Sequence, residues 1–262
     1  MSFIKDLNFG LEGYGLARKF IFTHKLQYLF LVPLVLSIIL LISGFNLTGM
    51  LNDLLWERLQ AWWDPESWDF WGAEFLSGFI AVLIWLVFRI LFFFIYAFVG
   101  GYLILVLMAP LLAYVSERTE SILLGTDYPF SWGQFLKDIW RGVVLAFRNF
   151  FVEIIATIIL FFLSFVPLLG LLTAPLLFLI TAYFYGFSFM DYTAERRKMR
   201  INESVDFVKK NRGIAIANGG VFALFLLIPI IGVTIATFIS ILSTVAASIS
   251  ILRKENPALE VQ

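Results

Sequence analysis

A chain of 262 residues that is 61% hydrophobic and only 15% charged, with a mean hydropathy of +0.91, is not a soluble domain. Formal net charge is zero, and the absence of cysteine excludes disulfides, thiolate nucleophiles and Cys-ligated metals. The single histidine, His24, supplies no zinc or haem ligand set, so no cofactor and no metal is expected. The charges are sorted by position. All of the lysines and arginines except Arg58 and Arg89 lie in the N-terminal segment, beside the later apolar arms or in the tail. The stretch 46–74 instead carries Asp53, Glu57, Asp64, Glu66, Asp69 and Glu74 against one arginine. The positive-inside rule then places both termini and the segments 115–148 and 191–212 in the cytosol, and 46–74 outside.

In chain order, residues 1–25 mix Phe3, Leu7, Leu11, Leu16 and Phe20 with Lys5, Arg18 and Lys19, the pattern of an amphipathic helix on the cytosolic face. About 25 mixed residues precede the first apolar run and no A-x-A site closes it, so no cleavable signal peptide is expected. Residues 26–45 are long enough, at about 30 Å, for one membrane crossing, with Pro33 near the start. Residues 46–74 form an external amphipathic segment in which Leu47, Met50, Leu51, Leu54, Leu55 and Leu59 recur at helical spacing. Trp62, Trp63, Trp68 and Trp71 suit an aromatic belt at the outer interface. Residues 75–114 would span about 60 Å as one helix, so they tilt, bend at Gly100-Gly101 or Pro110, or project beyond the bilayer.

Arg89 lies inside that run. A charge in hydrocarbon costs about 2.5 kcal/mol or more, so it should face a partner, face a wet cavity or snorkel to an interface. Glu153 is the nearest acidic residue by type, with Asn218 able to add a hydrogen bond. Residues 115–142 are expected in the cytosol, with Glu117 and Glu120 on a solvated helical face and a capping box at Ser131–Gln134.

The remainder is a repeat. Val166-Pro167-Leu168-Leu169-Gly170 and Ile228-Pro229-Ile230-Ile231-Gly232 are uncharged turns joining long apolar arms. A shift of 62 positions lays Arg148-Asn149 on Lys210-Asn211, Pro167 on Pro229, Gly170 on Gly232 and Ala174 on Ala236. Proline stops one helix and glycine permits the reversal. A turn that met water would usually carry Asn, Asp, Ser or Lys. The sequence therefore predicts two helical hairpins, 143–190 and 213–251, that re-enter on the cytosolic side. Such broken elements are tolerated only where protein buries them or water lines them, which points to a pathway or to an oligomer. Between the hairpins, residues 191–212 form a basic loop, a topology signal that attracts anionic lipid. Nothing else in the chain supplies a nucleic-acid surface. Residues 252–262 are a cytosolic tail.

Several landmarks share one order and spacing: Pro33, Ala109-Pro110, Ser116-Glu117-Arg118, Pro167-x-x-Gly170, Asp191-Tyr192, Arg196-Arg197, Gly213 and Asn218-Gly219 before Ile228-Pro229. Over about residues 10–252 the chain resembles the CysZ sulfate permease and etoposide-induced-protein family. The resemblance implies an all-α integral membrane protein of the inner membrane, with two long transmembrane helices, two re-entrant hairpins and amphipathic interfacial helices, assembled as a homo-oligomer in a single membrane domain. It also implies an anion site just before the first membrane helix. The matching residues are Lys25, Leu26 and Gln27, followed by Tyr28, with lysine where the family has glycine and Gln27 and Tyr28 in place of basic residues.

Two functions compete. One is a permease or channel for a small inorganic anion such as sulfate, with Arg89, Glu153 and Asn218 as pathway residues and a cationic rim that concentrates the anion. The other is a non-transport membrane protein that shapes the bilayer or supports membrane assembly. An enzyme is not expected, because no Ser/His, HExxH or paired-Asp constellation is present.

Overall fold

The computed structural model describes residues 3–62, 73–126, 132–166, 169–228, 231–259 and 261. Among them every regular element is helical. Helix α1 (Phe3–Thr23) leads through Lys25 into a 3₁₀ turn (Leu26–Phe30) and then α2 (Leu31–Trp62). Next come α3 (Ala73–Leu124), α4 (Trp132–Leu163), α5 (Gly170–Arg196), α6 (Ile201–Lys210), α7 (Arg212–Leu226) and α8 (Gly232–Glu255). Pro167 and Pro229 of the expected turns, Ser131 of the expected capping box, and Trp63, Trp68 and Trp71 lie outside the described residues.

Five helical stretches among the described residues are long and apolar enough to cross a membrane: Leu26–Arg58, Phe75–Tyr96, Trp140–Leu163, Gly170–Arg196 and Gly232–Glu255. Their burial is uneven. The apolar window of Gly232–Glu255 is 78% buried and that of Phe75–Tyr96 is 0% buried. Helix α8 is thus the axis of the fold, packed against α1, α2, α3, α5 and α7. Helix α3 has two halves. Ile104, Met108, Leu112 and Val115 are buried on one face, whereas Phe75, Phe79, Val82, Leu86 and Ile90 are exposed. Large exposed side chains on α2 and α4, among them Val35, Ile38, Ile42, Ile155 and Phe162, continue that apolar surface, which suits lipid rather than water. Helix α2 is continuous, so the first apolar run and the amphipathic stretch after it share one axis. Tyr96 pins α3 to it by donating to the Leu40 carbonyl at 2.7 Å, with Gly44 leaving room for the ring.

The two turns share their backbone bonding. Gly170 N–H donates to the Val166 carbonyl at 3.0 Å, and 62 residues later Gly232 N–H donates to the Ile228 carbonyl at 2.8 Å. A Cβ at either glycine would come within 2.6 Å of the carbonyl oxygen six residues back, Ser164 or Leu226. Only glycine fits both reversals.

Small residues then set the helix spacing. At the α5–α7 crossing, a Cβ on Gly186 would stand 1.8 Å from the Ala215 carbonyl oxygen, and one on Gly219 would stand 1.9 Å from that of Ala182. Ala182-x-x-x-Gly186 therefore meets Ala215-x-x-x-Gly219 backbone to backbone, the small-residue packing that membrane helices use where hydrophobicity gives no drive to associate. Helix α1 enters the groove between α7 and α8 in the same way, through Gly10 against Ala217 and Gly13 against Ala246 and Ser250.

Candidate functional site

The stretch named by the resemblance sits at a corner. Lys25 has φ 55°, a left-handed conformation that a non-glycine residue adopts at a cost and glycine adopts freely. That conformation breaks α1 from the 3₁₀ turn. Lys25 and Gln27 are exposed, while Leu26 is buried and holds the corner in the core. Just before it, Arg18, Lys19, Phe22 and Thr23 line an open cleft of about 510 Å³. Tyr28 reaches α3: its hydroxyl lies 3.4 Å from that of Tyr114. Arg118 stands one helical turn beyond Tyr114 on α3.

The three pathway residues do not meet. Arg89 is exposed on the N-terminal half of α3, with its guanidinium 5.2 Å from the centre of the Trp85 ring. Glu153 is fully buried on α4 and accepts a hydrogen bond from Thr181 of α5. No ion pair among the described residues joins Arg89 to Glu153. Asn218 is fully buried on α7, where its amide donates to the Ser243 carbonyl at 2.9 Å and its Oδ1 has no hydrogen-bond partner among the described residues. Tyr14 of α1 closes this cluster, with its hydroxyl 2.7 Å from both the Asn218 carbonyl and Ser243 Oγ. Burial pushes the Tyr14 hydroxyl well above its ordinary value, against the opposing Ser243 hydrogen bond, so the group stays neutral.

Sequence reasoning gave no role to the hydroxyls of α8. Ser243 reaches Tyr14, Ser248 reaches Ser116 of α3 at 2.7 Å, and Ser250 donates to the Phe9 carbonyl at 2.9 Å. Ser240 and Thr244 bond carbonyls within α8, whereas Thr237 bonds the Thr234 carbonyl and also donates to the Pro33 carbonyl of α2 at 3.4 Å. The signal was present as a Ser/Thr-rich helix at 237–250, because hydroxyls in an apolar helix serve as interhelical contacts.

Three of the resemblance landmarks, Asp191, Arg196 and Arg197, are ion-pair fastenings. Glu120, expected on a solvated face, is buried and paired with Arg196. Arg141 donates to Asp191 at 2.9 Å, and the Ser204 hydroxyl binds the same carboxylate. Lys254 of α8 bridges Asp6 at 2.8 Å and Asn211 at 2.7 Å. Arg197 pairs with Glu255 nearer the surface. The helix ends gathered here are thus locked by charge in places that the sequence presents only as basic loops. No group of three or more His, Cys, Asp or Glu able to hold a metal ion occurs among the described residues.

A chain whose described elements are all helical, with several membrane-length apolar helices and lipid-suited outer faces, is a multi-pass integral membrane protein. Residues 15–236 match the family model described as Sulfate transporter CysZ/Etoposide-induced protein 2.4, and the chain belongs to that family. It is 28% identical over 217 residues to a sulfate transporter CysZ of Pseudomonas fluorescens (strain Pf0-1), covering 82% of this chain and 83% of the relative. A sulfate transporter CysZ of Pseudomonas aeruginosa (strain LESB58) is 28% identical over 228 residues, covering 85% and 87%. One of Vibrio parahaemolyticus is 26% identical over 199 residues, covering 74% and 78%.

Proposed function

We propose that this protein is a permease or channel that moves a small inorganic anion, with sulfate the first to test, across the inner membrane. The observation that carries the reading is the Lys25 corner. There the exposed side chains of Lys25 and Gln27 stand beside an open cleft lined by Arg18 and Lys19. Such a rim raises the local concentration of an anion. The names of the relatives supply sulfate as the solute.

The membrane arrangement belongs to the same proposal. Helices α2 and α3 span the bilayer, and the hairpins α4–α5 and α7–α8 re-enter from the cytosolic side, where both termini lie. Helix α7 has 15 residues, about 22 Å of rise, which falls short of a hydrocarbon core of about 30 Å. The exposed apolar tip of the first hairpin, with Phe165 and Leu171, meets lipid or a second copy in a homo-oligomer. Glu153 and Asn218 are the buried polar residues nearest to a pathway role; Arg89 faces outward. The protein carries out no catalysis.

Flux tests this directly. Purified protein in liposomes should pass labelled sulfate, and Lys25→Ala should reduce the rate severalfold. Lys209→Ala is the control, because Lys209 is exposed at 3.9 Å from Asp206 and lies away from the corner in sequence. Liposomes that change shape without passing sulfate or any other anion in a panel overturn the reading. Cysteines placed at Leu169 and Ile231, in a chain with none of its own, should resist impermeant thiol reagents added outside. Ready external labelling of both would show full crossings.

A further inference from the structure

We propose that Arg148 holds the phosphate of an anionic phospholipid against the outward face of α4. The inference stands on the membrane assignment alone and is independent of which solute the protein moves.

Helix α4 has two faces. Leu145, Asn149, Glu153 and Leu160 recur at helical spacing and are buried. Trp140, Phe147, Phe151 and Ile155 follow the opposite stripe and are exposed. Arg148 is exposed on that stripe, between Phe147 and Phe151. Only 22% of the apolar window Trp140–Leu163 is buried, against 78% for the window in α8. The first hairpin therefore offers to lipid a face that the second gives to protein.

A cation left among acyl chains is costly, so Arg148 must reach the headgroups. Trp140 shows where they are, because exposed tryptophan collects at headgroup level. The eight residues from Trp140 to Arg148 rise about 12 Å, a depth from which a long side chain snorkels toward lipid phosphates.

The guanidinium is aimed. Its Nη1 donates to Asn149 Oδ1 at 3.0 Å, and Asn149 is fully buried, so the acceptor is fixed. The other N–H groups of the fork remain for an oxyanion. Arg148 makes no ion pair among the described residues, whereas Arg141, Arg196, Arg197 and Arg253 each face a carboxylate. The internal repeat sharpens the contrast. Lys210-Asn211 occupies the matching place in the second hairpin. There Asn211 accepts from Lys254 and donates to the Phe207 carbonyl, so its amide fastens helices instead of orienting its neighbour. A phospholipid phosphate presents two oxygens to the Arg148 fork, with its chains along Phe151 and Ile155. A net negative headgroup is favoured over a zwitterionic one, because the cation has no carboxylate among the described residues. Inorganic phosphate shares the oxygens but not the chains.

The test is retention of phosphatidylglycerol, against phosphatidylcholine, by the full-length protein in detergent. Arg148→Gln should weaken phosphatidylglycerol binding about fivefold, and Arg148→Lys should recover part of the loss. Lys210→Gln, the exposed counterpart in the repeat, should bind like the parent. Added phosphatidylglycerol should raise the melting temperature of the parent more than that of Arg148→Gln, while the two melt alike without lipid. Parent-like binding by Arg148→Gln overturns the site. An equal loss in Lys210→Gln reduces it to general surface charge and overturns it too. Displacement of the lipid by millimolar inorganic phosphate assigns the residue to a free oxyanion instead. A shifted elution volume for Arg148→Gln with lipid binding unchanged assigns this face to a second copy of the chain. Either of these last results overturns the lipid site.

Discussion

Adding one methyl group at Gly219 should loosen the junction of the two hairpins. In the native crossing the new Cβ would stand 1.9 Å from the Ala182 carbonyl oxygen and 2.3 Å from the Gly186 nitrogen. Ordinary contact begins near 3.5 Å, so α5 and α7 must separate by about 1.5 Å. Both obstacles are backbone atoms, and no side-chain rotation relieves them. Overpacking costs about 1–3 kcal/mol where side chains can give, so Gly219→Ala should cost at least about 3 kcal/mol. At roughly 2–4 °C per kcal/mol for a chain of this size, the melting temperature should fall by about 6–12 °C. Gly186→Ala, opposite it, should behave alike, and the double variant should cost less than the sum, because one separation serves both. Gly15→Ala is the control. It is an exposed position on α1 with nothing within 4 Å, and it should gain about 0.5–1 kcal/mol from helix propensity alone. The assay is thermal melting of detergent-purified protein, followed by helical signal and by retention of the native elution volume. A Gly219→Ala protein that melts within a degree of the parent while Gly15→Ala shifts as expected would refute close backbone contact as the basis of this junction.

Three further outcomes follow from geometry already described. Arg196→Gln should destabilise by about 3–5 kcal/mol because it strands the buried Glu120 carboxylate, whereas Arg197→Gln, whose partner Glu255 is half exposed, should cost under about 1 kcal/mol; urea or thermal melts that rank them the other way contradict the burial argument. Lys25→Gly should separate conformation from charge: relief of the left-handed backbone should raise stability by about 1 kcal/mol while anion flux falls as in Lys25→Ala. Arg89→Gln should leave melting and flux at parent levels, since the side chain is exposed against Trp85; a loss of flux would put Arg89 back in the pathway.

The parts that were legible in the sequence are those governed by local pattern. Apolar run length gave membrane helices, and the 62-residue shift found two reversals whose backbone hydrogen bonds coincide. The unread parts depend on contact between distant residues. Periodicity places Glu120 on a helix face but does not say that Arg196, 76 residues on, covers that face. Tyr28 and Tyr114 carry no mutual signal in the chain, because their meeting depends on where α3 leans against the start of α2. Gly10 and Gly13 look like helix weakeners until α7 and α8 are seen to need the space of a missing Cβ. Residue type alone nominated Glu153 as the partner of Arg89, but α3 turns Arg89 outward and α5 offers Thr181 to Glu153.

The seating of α1 between α7 and α8 sets an order of events during synthesis. Phe9 and Asp6 are held by Ser250 and Lys254, 241 and 248 residues further along. A ribosome adding about 5–20 residues per second needs roughly 12–50 s to make that stretch. Throughout that time α1 has no groove to enter, and its apolar side must shelter against the lipid surface. The native fold is therefore completed from its last helix backwards, when the emerging end of the chain captures the beginning. A ribosome that stalls before residue 232 leaves a nascent protein with its first helix unclaimed, a mark by which quality-control proteases could tell unfinished copies from finished ones.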